Sequence, residues 1–290
     1  MKLFFVNLQF LPINNSVTEL TSIEYLDLVE NIINATEYTG YIGRDKYIVF
    51  DNSSVERNEK FIKGSLIIFK KPPPYEDLRT GNITTEPKDY EVQYSKRIKF
   101  YFYSKKHILV IQKKTNELDK ASNIEKRINI LFEERFNQIK ENDNKFLKYR
   151  LSINLISKKE DLEKVINRMN VKSIDIEVTY PNSDELEDNI ENELKQVKTH
   201  KVCHSEKAHD DSIMNGVTEY AKKLSHIALR LGNVIMRYVD DDNKVKKYIM
   251  KNKIVERDIS EKYKDKNLFV DEYIEDEIIS VLNEARDENY

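Results

Sequence analysis

Residues 171–196 read VKSIDIEVTYPNSDELEDNIENELKQ, a stretch that combines a strand pattern, a turn signal and a run of acidic residues. Its first ten residues alternate apolar and polar side chains, which is the pattern of a β-strand with one buried face. A Pro-Asn-Ser-Asp turn signal ends the alternation, and a run of acidic residues follows it. We therefore predict a strand that ends before Pro181, with Asp175 and Glu177 on the face opposite the apolar residues.

Outward from this strand, helix and strand patterns interleave along the chain. Helical patterns occur over 22–35, 123–141, 157–170, 181–196, 212–231 and 274–285, and Ser157 and Glu160 have the spacing of a capping box. Strand patterns occur over 1–10, 40–50, 63–71, 96–114, 149–157 and 233–252, several of them as hairpins. This order predicts an α+β fold with mixed, largely antiparallel sheets, helices packed on one face, and a C-terminal helix–hairpin–helix region.

Two polar segments divide the chain into three predicted regions. The segment 75–90 is polar, and we interpret it as a long surface loop. It separates an N-terminal α+β region, residues 1–90, from a central ββαβαβ unit, residues 91–180. The turn at Pro181 then begins a C-terminal region of helices and a β-hairpin, residues 181–290.

The composition excludes several classes of protein. No apolar run approaches the roughly 20 residues that span a bilayer, so we predict no membrane partner. Cys203 is the only cysteine, which excludes an internal disulfide and favours a reducing, cytoplasmic location. The formal net charge is −3, so binding to nucleic acid requires positive charge gathered on one surface. The sequence has neither a GxxxxGK[ST] phosphate loop nor a GxGxxG fingerprint, and we predict no cofactor.

Positive charge is indeed concentrated around the hairpin KRIKFYFYSKKHILVIQKK, residues 96–114. Its cations could neutralise phosphates, and its two strand tyrosines, on the same face as one lysine, could stack bases. The predicted nucleic-acid site comprises Lys96, Arg97, Lys99, Tyr101, Tyr103, Lys105, Lys106, Lys113 and Lys114. The alternative is that this is the solvated face of an amphipathic strand.

The carboxylates of the opening strand suggest a second chemistry. Two acids at a spacing of two residues project to one side of a strand and could share a divalent ion, with Asp184 as a third ligand. A nuclease of the restriction type would also need a lysine two residues after Glu177, where this chain has Thr179. The alternative is again a strand face in contact with water, as on any half-exposed strand.

A group of histidines suggests a third site, in HKVCHSEKAHDD, residues 200–211. On a helix, His200, Cys203 and His204 would share one face, and with His209 they could bind zinc through nitrogen and sulfur. The spacing does not match a recognisable zinc motif. A polar helix or a flexible connection is the alternative.

Two segments of the chain resemble a known family: KSIDIEVTYPNSDELEDNIENELKQ, residues 172–196, and AKKLSHIALRLGNVIMRYVDDDNKV, residues 221–245. They are similar to the C-terminal half of an uncharacterised bacterial family of about this length, whose members often occur in phage-defence neighbourhoods. In the order of its elements, the chain is also distantly similar to the exclusion protein A of the lambda Rex system and to the B component of Kiwa defence. The distant similarity implies a dimeric, nucleic-acid-binding protein without evident catalysis. The motifs shared with the uncharacterised family identify no active-site residues.

Two classes of function follow. The first is a non-enzymatic component of antiviral defence that binds nucleic acid, or a phage or partner protein, as a homodimer. The second is a metal-dependent nuclease or hydrolase that uses the Asp-x-Glu pair or the histidine and cysteine group.

Overall fold

The computed structural model describes residues 2–13, 17–35, 40–72, 75–77, 79–80, 82–85, 92, 94–113, 121–179, 201–209, 212–258 and 271–285. The strands are β1 Lys2–Pro12, β2 Gly40–Gly43, β3 Lys46–Arg57, β4 Phe61–Lys70, β5 Tyr75–Glu76, β6 Ile83–Thr85, β7 Tyr94–Tyr103, β8 Ile108–Lys113, β9 Tyr149–Leu155, β10 Val171–Thr179, β11 Lys201–Lys207, β12 Gly232–Val239, β13 Val245–Ile249 and β14 Glu256–Asp258. The helices are α1 Ser22–Asn34, α2 Ala121–Asn142, α3 Lys159–Ile166, α4 Glu219–Leu231 and α5 Asp271–Ala285.

The larger sheet has eight strands in the order β14-β1-β8-β7-β4-β3-β2, and β9 pairs with the second half of β1. All of these pairs are antiparallel. The sheet joins strands from both sides of the boundary predicted at 90/91, since β4 pairs with β7 along its whole length. The strand β1, which pairs with three other strands, is buried from Leu3 to Leu11, because helices cover both of its faces.

Helices cover the two faces of this sheet unequally. The apolar residues of α1 and α2 pack with Phe4, Val6 and Leu8 on one face. On the other face, Ile274 and Ile278 of α5 pack with Leu3 and Phe5 of β1. The last residues of β7, Tyr101 and Tyr103, belong to the same apolar cluster. The α+β class with antiparallel sheets is therefore confirmed, and α5 adds a cover on the second face that the sequence pattern did not indicate.

The smaller sheet has the order β11-β10-β12-β13, again with antiparallel pairs. Its inner face buries Ile174, Ile176 and Val178 against α3 and α4, as the alternation of β10 predicts. Its outer face carries no described helix and is largely exposed. Because β10 lies between β11 and β12, its side chains on this open face have neighbours on both sides.

Two predicted helix starts are wrong. Ser157 does not cap α3: its hydroxyl donates to the Met250 carbonyl, and Lys158 precedes the helix without a side-chain cap. The helix predicted from Ser212 starts only at Glu219, because Thr218 caps it by accepting a hydrogen bond from the Ala221 amide. No described helix has the length and apolar character needed to cross a membrane.

A complete capping box starts α1. The Thr21 amide donates to the Glu24 carboxylate at 2.8 Å, and the Glu24 amide donates to the Thr21 hydroxyl at 3.3 Å. The ammonium of Lys145 also donates to Glu24 at 2.7 Å. This bond, followed by the one from the Thr21 amide, lowers the pKa of Glu24 to about 2.

We expect this carboxylate to make stability depend on pH. Because the folded pKa lies below the unfolded one, its contribution is complete above about pH 4.5 and is lost as pH falls towards 2. Glu24 is partly exposed, so screening reduces the effect to about 1 kcal/mol. Glu24→Gln should lower the free energy of unfolding by that amount at pH 7 and by only about a quarter of it at pH 2.5, as measured by urea titrations. An equal loss at both pH values would contradict this.

Candidate nucleic-acid interface

The predicted basic hairpin is split between separate surfaces. Along β7, Arg97 and Lys99 lie on one face, whereas Lys96 lies on the face that packs against α1 and α2. Lys105 and Lys106 lie in a 3-10 turn after the strand, whose end at Tyr103 is already about 20 Å from Arg97 at 3.3 Å per residue. Lys113 ends β8, and nothing is described of its side chain. Lys114 lies outside the described residues.

The two tyrosines of this hairpin are not available to stack bases, which corrects the prediction. Tyr101 is completely buried and Tyr103 is 5% exposed, because both pack under α5. The Tyr103 hydroxyl donates to Glu275 of that helix at 2.8 Å. Tyr101 and Tyr103 do lie on the same face of β7 as Lys99, as the alternation predicts. However, α5, which is close to the C-terminal end of the sequence, covers that face at the two tyrosines.

The carboxylate pair of β10 faces water, as one of the two interpretations predicted. Asp175 accepts a hydrogen bond from the Ser205 hydroxyl at 2.7 Å, and Glu177 forms an ion pair with Lys201 at 2.8 Å. Both partners lie on β11, directly beside the pair. Asp184, proposed as a third ligand, lies outside the described residues.

The predicted zinc ligands lie on a strand, so the expectation that they share a helix face is wrong. In β11, Cys203 points to the outer face, whereas His204 points to the inner face. His209 lies beyond the strand and is exposed, and His200 lies outside the described residues. Within the described part of the chain, no three His, Cys, Asp or Glu side chains come together as a metal site.

His204 instead belongs to a polar cluster that holds the start of α4. Its Nε2 atom lies 2.9 Å from Glu206, and its ring makes an edge contact with Tyr220. Glu206 also accepts hydrogen bonds from the amide and hydroxyl of Thr218. Burial raises the pKa of Glu206, but the bonds from His204 and Thr218 outweigh it and lower the pKa overall. These contacts give His204 and Glu206 a structural role, because they fix the start of α4 against β11.

A row of cations crosses the outer face of the smaller sheet. Lys207 of β11 pairs in register with Ser173 of β10, Ser173 pairs with Arg237 of β12, and Arg237 pairs with Lys247 of β13. Direct cross-strand partners point to the same side of a sheet, so the three cations form one line. At about 4.8 Å between strands, the row is about 14 Å long. We call Lys207, Arg237 and Lys247 the cation row.

The cation row is exposed, and none of the described side chains neutralises its charge. All three side chains are exposed, and no hydrogen bond or ion pair is found for them within the described part of the chain. The two carboxylates of the face are engaged elsewhere, with Ser205 and Lys201. Like charges directly opposite each other destabilise a sheet, so the Arg237–Lys247 pair costs free energy in the absence of an anion.

A family model for DUF4747, a domain of unknown function, matches residues 5–277. The chain belongs to this family. The match begins in β1 and ends within α5, so the DUF4747 domain includes both sheets and the cation row. No curated protein matches the chain.

The cation row of this DUF4747 chain was not predicted from the sequence, although one signal for it is present there. The hairpin of β12 and β13 turns around Asp242, and Arg237 and Lys247 each lie five residues from it. Counting outward from the turn therefore places them opposite each other. Lys207 could not be found in this way, because its position depends on β11 being a strand.

Proposed function

We propose that this DUF4747 protein is a non-enzymatic nucleic-acid-binding protein that holds the phosphate backbone on the outer face of its smaller sheet. The cation row carries the proposal: three exposed cations lie in line, and no side chain in the described part of the chain pairs with them. A protein surface normally intersperses charges of both signs, and a segregated row favours a polyanion. Contacts of this kind give affinity and position without reading sequence.

The chemistry of the row fits phosphate. Arg237 is central and offers a planar guanidinium, which binds phosphate oxygens through two parallel hydrogen bonds. The lysines on either side, Lys207 and Lys247, supply point charges that tolerate variation in the backbone of the ligand. Ser173 lies between Lys207 and Arg237 and adds a hydroxyl that donates a hydrogen bond.

Salt dependence tests this proposal. A fluorescein-labelled 20-nucleotide DNA, single-stranded or duplex, is titrated with the protein at several concentrations of KCl. Neutralising three phosphates releases their counterions, so log K should fall against log salt with a slope of about −2 to −3. Affinity that does not change with salt, or no binding at low salt, would contradict the proposal.

The carboxylates of the same face provide a discriminating variant. The doubly substituted Asp175→Asn, Glu177→Gln protein removes two negative charges beside the cation row. If the row binds phosphate, DNA affinity should rise about two- to fivefold, because repulsion is relieved. If the pair were catalytic, the wild type would degrade the oligonucleotide with a divalent metal and this variant would not. Gel analysis of the same samples detects the cleavage.

The biological setting and the homodimer are further parts of the proposal. The resemblance to phage-defence proteins supports an antiviral role. To test it, bacteria that express the wild-type protein, or a variant whose cation row is substituted, are challenged with phage, and the plaques are counted. A homodimer would present two rows to one nucleic acid and so bind more tightly than one copy. Light scattering of the purified protein measures the dimer directly.

A further inference from the structure

A ladder of aromatic rings crosses the larger sheet on the face away from α1 and α2. Tyr41 of β2 lies opposite Tyr47 of β3, which lies opposite Phe69 of β4. The ring centroids of Tyr41 and Tyr47 are 5.5 Å apart, and those of Tyr47 and Phe69 are 5.6 Å apart with the rings stacked. The ammonium of Lys71 lies 5.6 Å from the centre of the Tyr47 ring.

Basic side chains flank this ladder on the same face. Phe69 and Ile67 of β4 lie opposite Ser95 and Arg97 of β7, so Arg97 points to the same side as the rings. Lys99, two residues further along β7, does so too. The side chain of Arg97 is 67% exposed, although it also forms an ion pair with Asp51 at 3.0 Å.

The ladder is not explained by packing of the core. The opposite face of the same strands carries its own aromatic cluster, in which Phe50 contacts Phe100 and Phe132. That cluster fills the core beneath α2. In contrast, Tyr41 is 55% exposed at the outer end of the ladder. Only Phe69, at the inner end, is buried, and it therefore supports the ring of Tyr47 from one side.

We propose that Tyr41 and Tyr47 stack the bases of a single-stranded nucleic acid, while Lys71, Arg97 and Lys99 contact its backbone. Flat rings with adjacent cations are the arrangement that single-strand binders use, because every unpaired base exposes a face for stacking. This inference rests on the proposed function and adds the class of ligand to it. Duplex bases are already stacked and cannot use the ladder.

The test compares two ligands and two pairs of substitutions. Tyr41→Ala, Tyr47→Ala removes the rings, and Tyr41→Phe, Tyr47→Phe keeps them. Fluorescence anisotropy is measured with a labelled dT20 strand and with a labelled 20-base-pair duplex. We expect the alanine pair to lose about tenfold or more in affinity for dT20 and less than threefold for the duplex, because stacking contributes only to single strands. The phenylalanine pair should bind both ligands as the wild type does.

The outcomes separate this inference from the proposed function. Equal affinity of the wild type and the alanine pair for dT20 would overturn the stacking site. If that affinity still fell steeply with salt, the proposed phosphate binding by the cation row would stand. No binding of either ligand by the wild type would overturn both. Lys99→Glu serves as a second variant if the alanine pair does not fold, as judged by circular dichroism. It should reduce the affinity for dT20 more than the affinity for the duplex, and an equal or absent effect counts against the inference.

Discussion

Reversing two charges of the cation row, with Lys207→Glu and Arg237→Glu, should lower the affinity for DNA about 100-fold or more. Each phosphate contact made by a charged group contributes about 1.5 kcal/mol, so two lost contacts cost about 3 kcal/mol. The new carboxylates also repel the backbone. The slope of log K against log salt should become shallower by about two, because two fewer counterions are released. Anisotropy titrations with a labelled DNA give both quantities.

A matched control separates local contacts from net charge. Lys126→Glu, Lys148→Glu makes the same change in total charge at two exposed lysines, one on α2 and the other just before β9. This control should lose less than threefold in affinity, since its effect is screened beyond about 8 Å at physiological salt. Reversing Lys105 and Lys106 tests whether the predicted hairpin contributes as well. Equal losses in the control and in the cation-row variant would contradict a local site.

Gly232→Ala should destabilise the protein by more than about 3 kcal/mol. Gly232 ends α4 and begins β12, where its backbone lies directly against β10. A Cβ atom at this position would overlap the carbonyl oxygen of Glu177, and backbone of a central strand cannot move aside as a side chain does. Its φ of −169° is ordinary extended backbone, so close approach and not conformation requires glycine here.

Gly64→Ala is the control for this substitution. A Cβ there would meet the edge of the Phe100 ring at 3.1 Å, and that ring can shift by a few tenths of an ångström. The cost should be about 1 kcal/mol. Urea unfolding of both variants compares them directly, and equal costs would show that the contact between β10 and β12 is not as tight as the structure indicates. Since β12 carries Arg237, the Gly232 variant should also bind DNA more weakly.

The parts of the fold that depend on local patterns could be predicted from the sequence. The alternation of β10 gave its buried and exposed faces, and the helical pattern over 22–35 gave α1, Ser22–Asn34. Both signals lie within a few residues of each other, so no tertiary contact was needed to interpret them.

The errors arose where a distant segment decides the outcome. The strand pattern places Tyr101 on the face of Lys99, and nothing near it in sequence covers that face, but Ile278 of α5 packs in the same apolar cluster as Tyr101. The polar segment KVCHSEK became β11 because its backbone pairs with the edge of β10 over seven positions. Its side chains are mostly exposed, so composition gave no strand signal.

The same reason explains why the sequence pointed to another surface than the cation row. With a net charge of −3, nucleic-acid binding is expected to need segregated positive charge, and the hairpin with the highest lysine density is where the sequence concentrates it. Cross-strand register, not density, brings Lys207, Arg237 and Lys247 into line from three separate strands. Register between distant strands is a property of the folded sheet.

The most direct measurement is the effect of Lys247→Glu on stability and on DNA affinity in the same protein sample. The substitution replaces a like-charge pair by an ion pair opposite Arg237, so the free energy of unfolding should stay equal or rise by up to about 1 kcal/mol. The affinity for DNA should nevertheless fall about tenfold or more. If the cation row binds phosphate, Lys247→Glu should therefore leave stability equal or higher while it weakens DNA binding. Unchanged DNA affinity in a stably folded Lys247→Glu protein would contradict it.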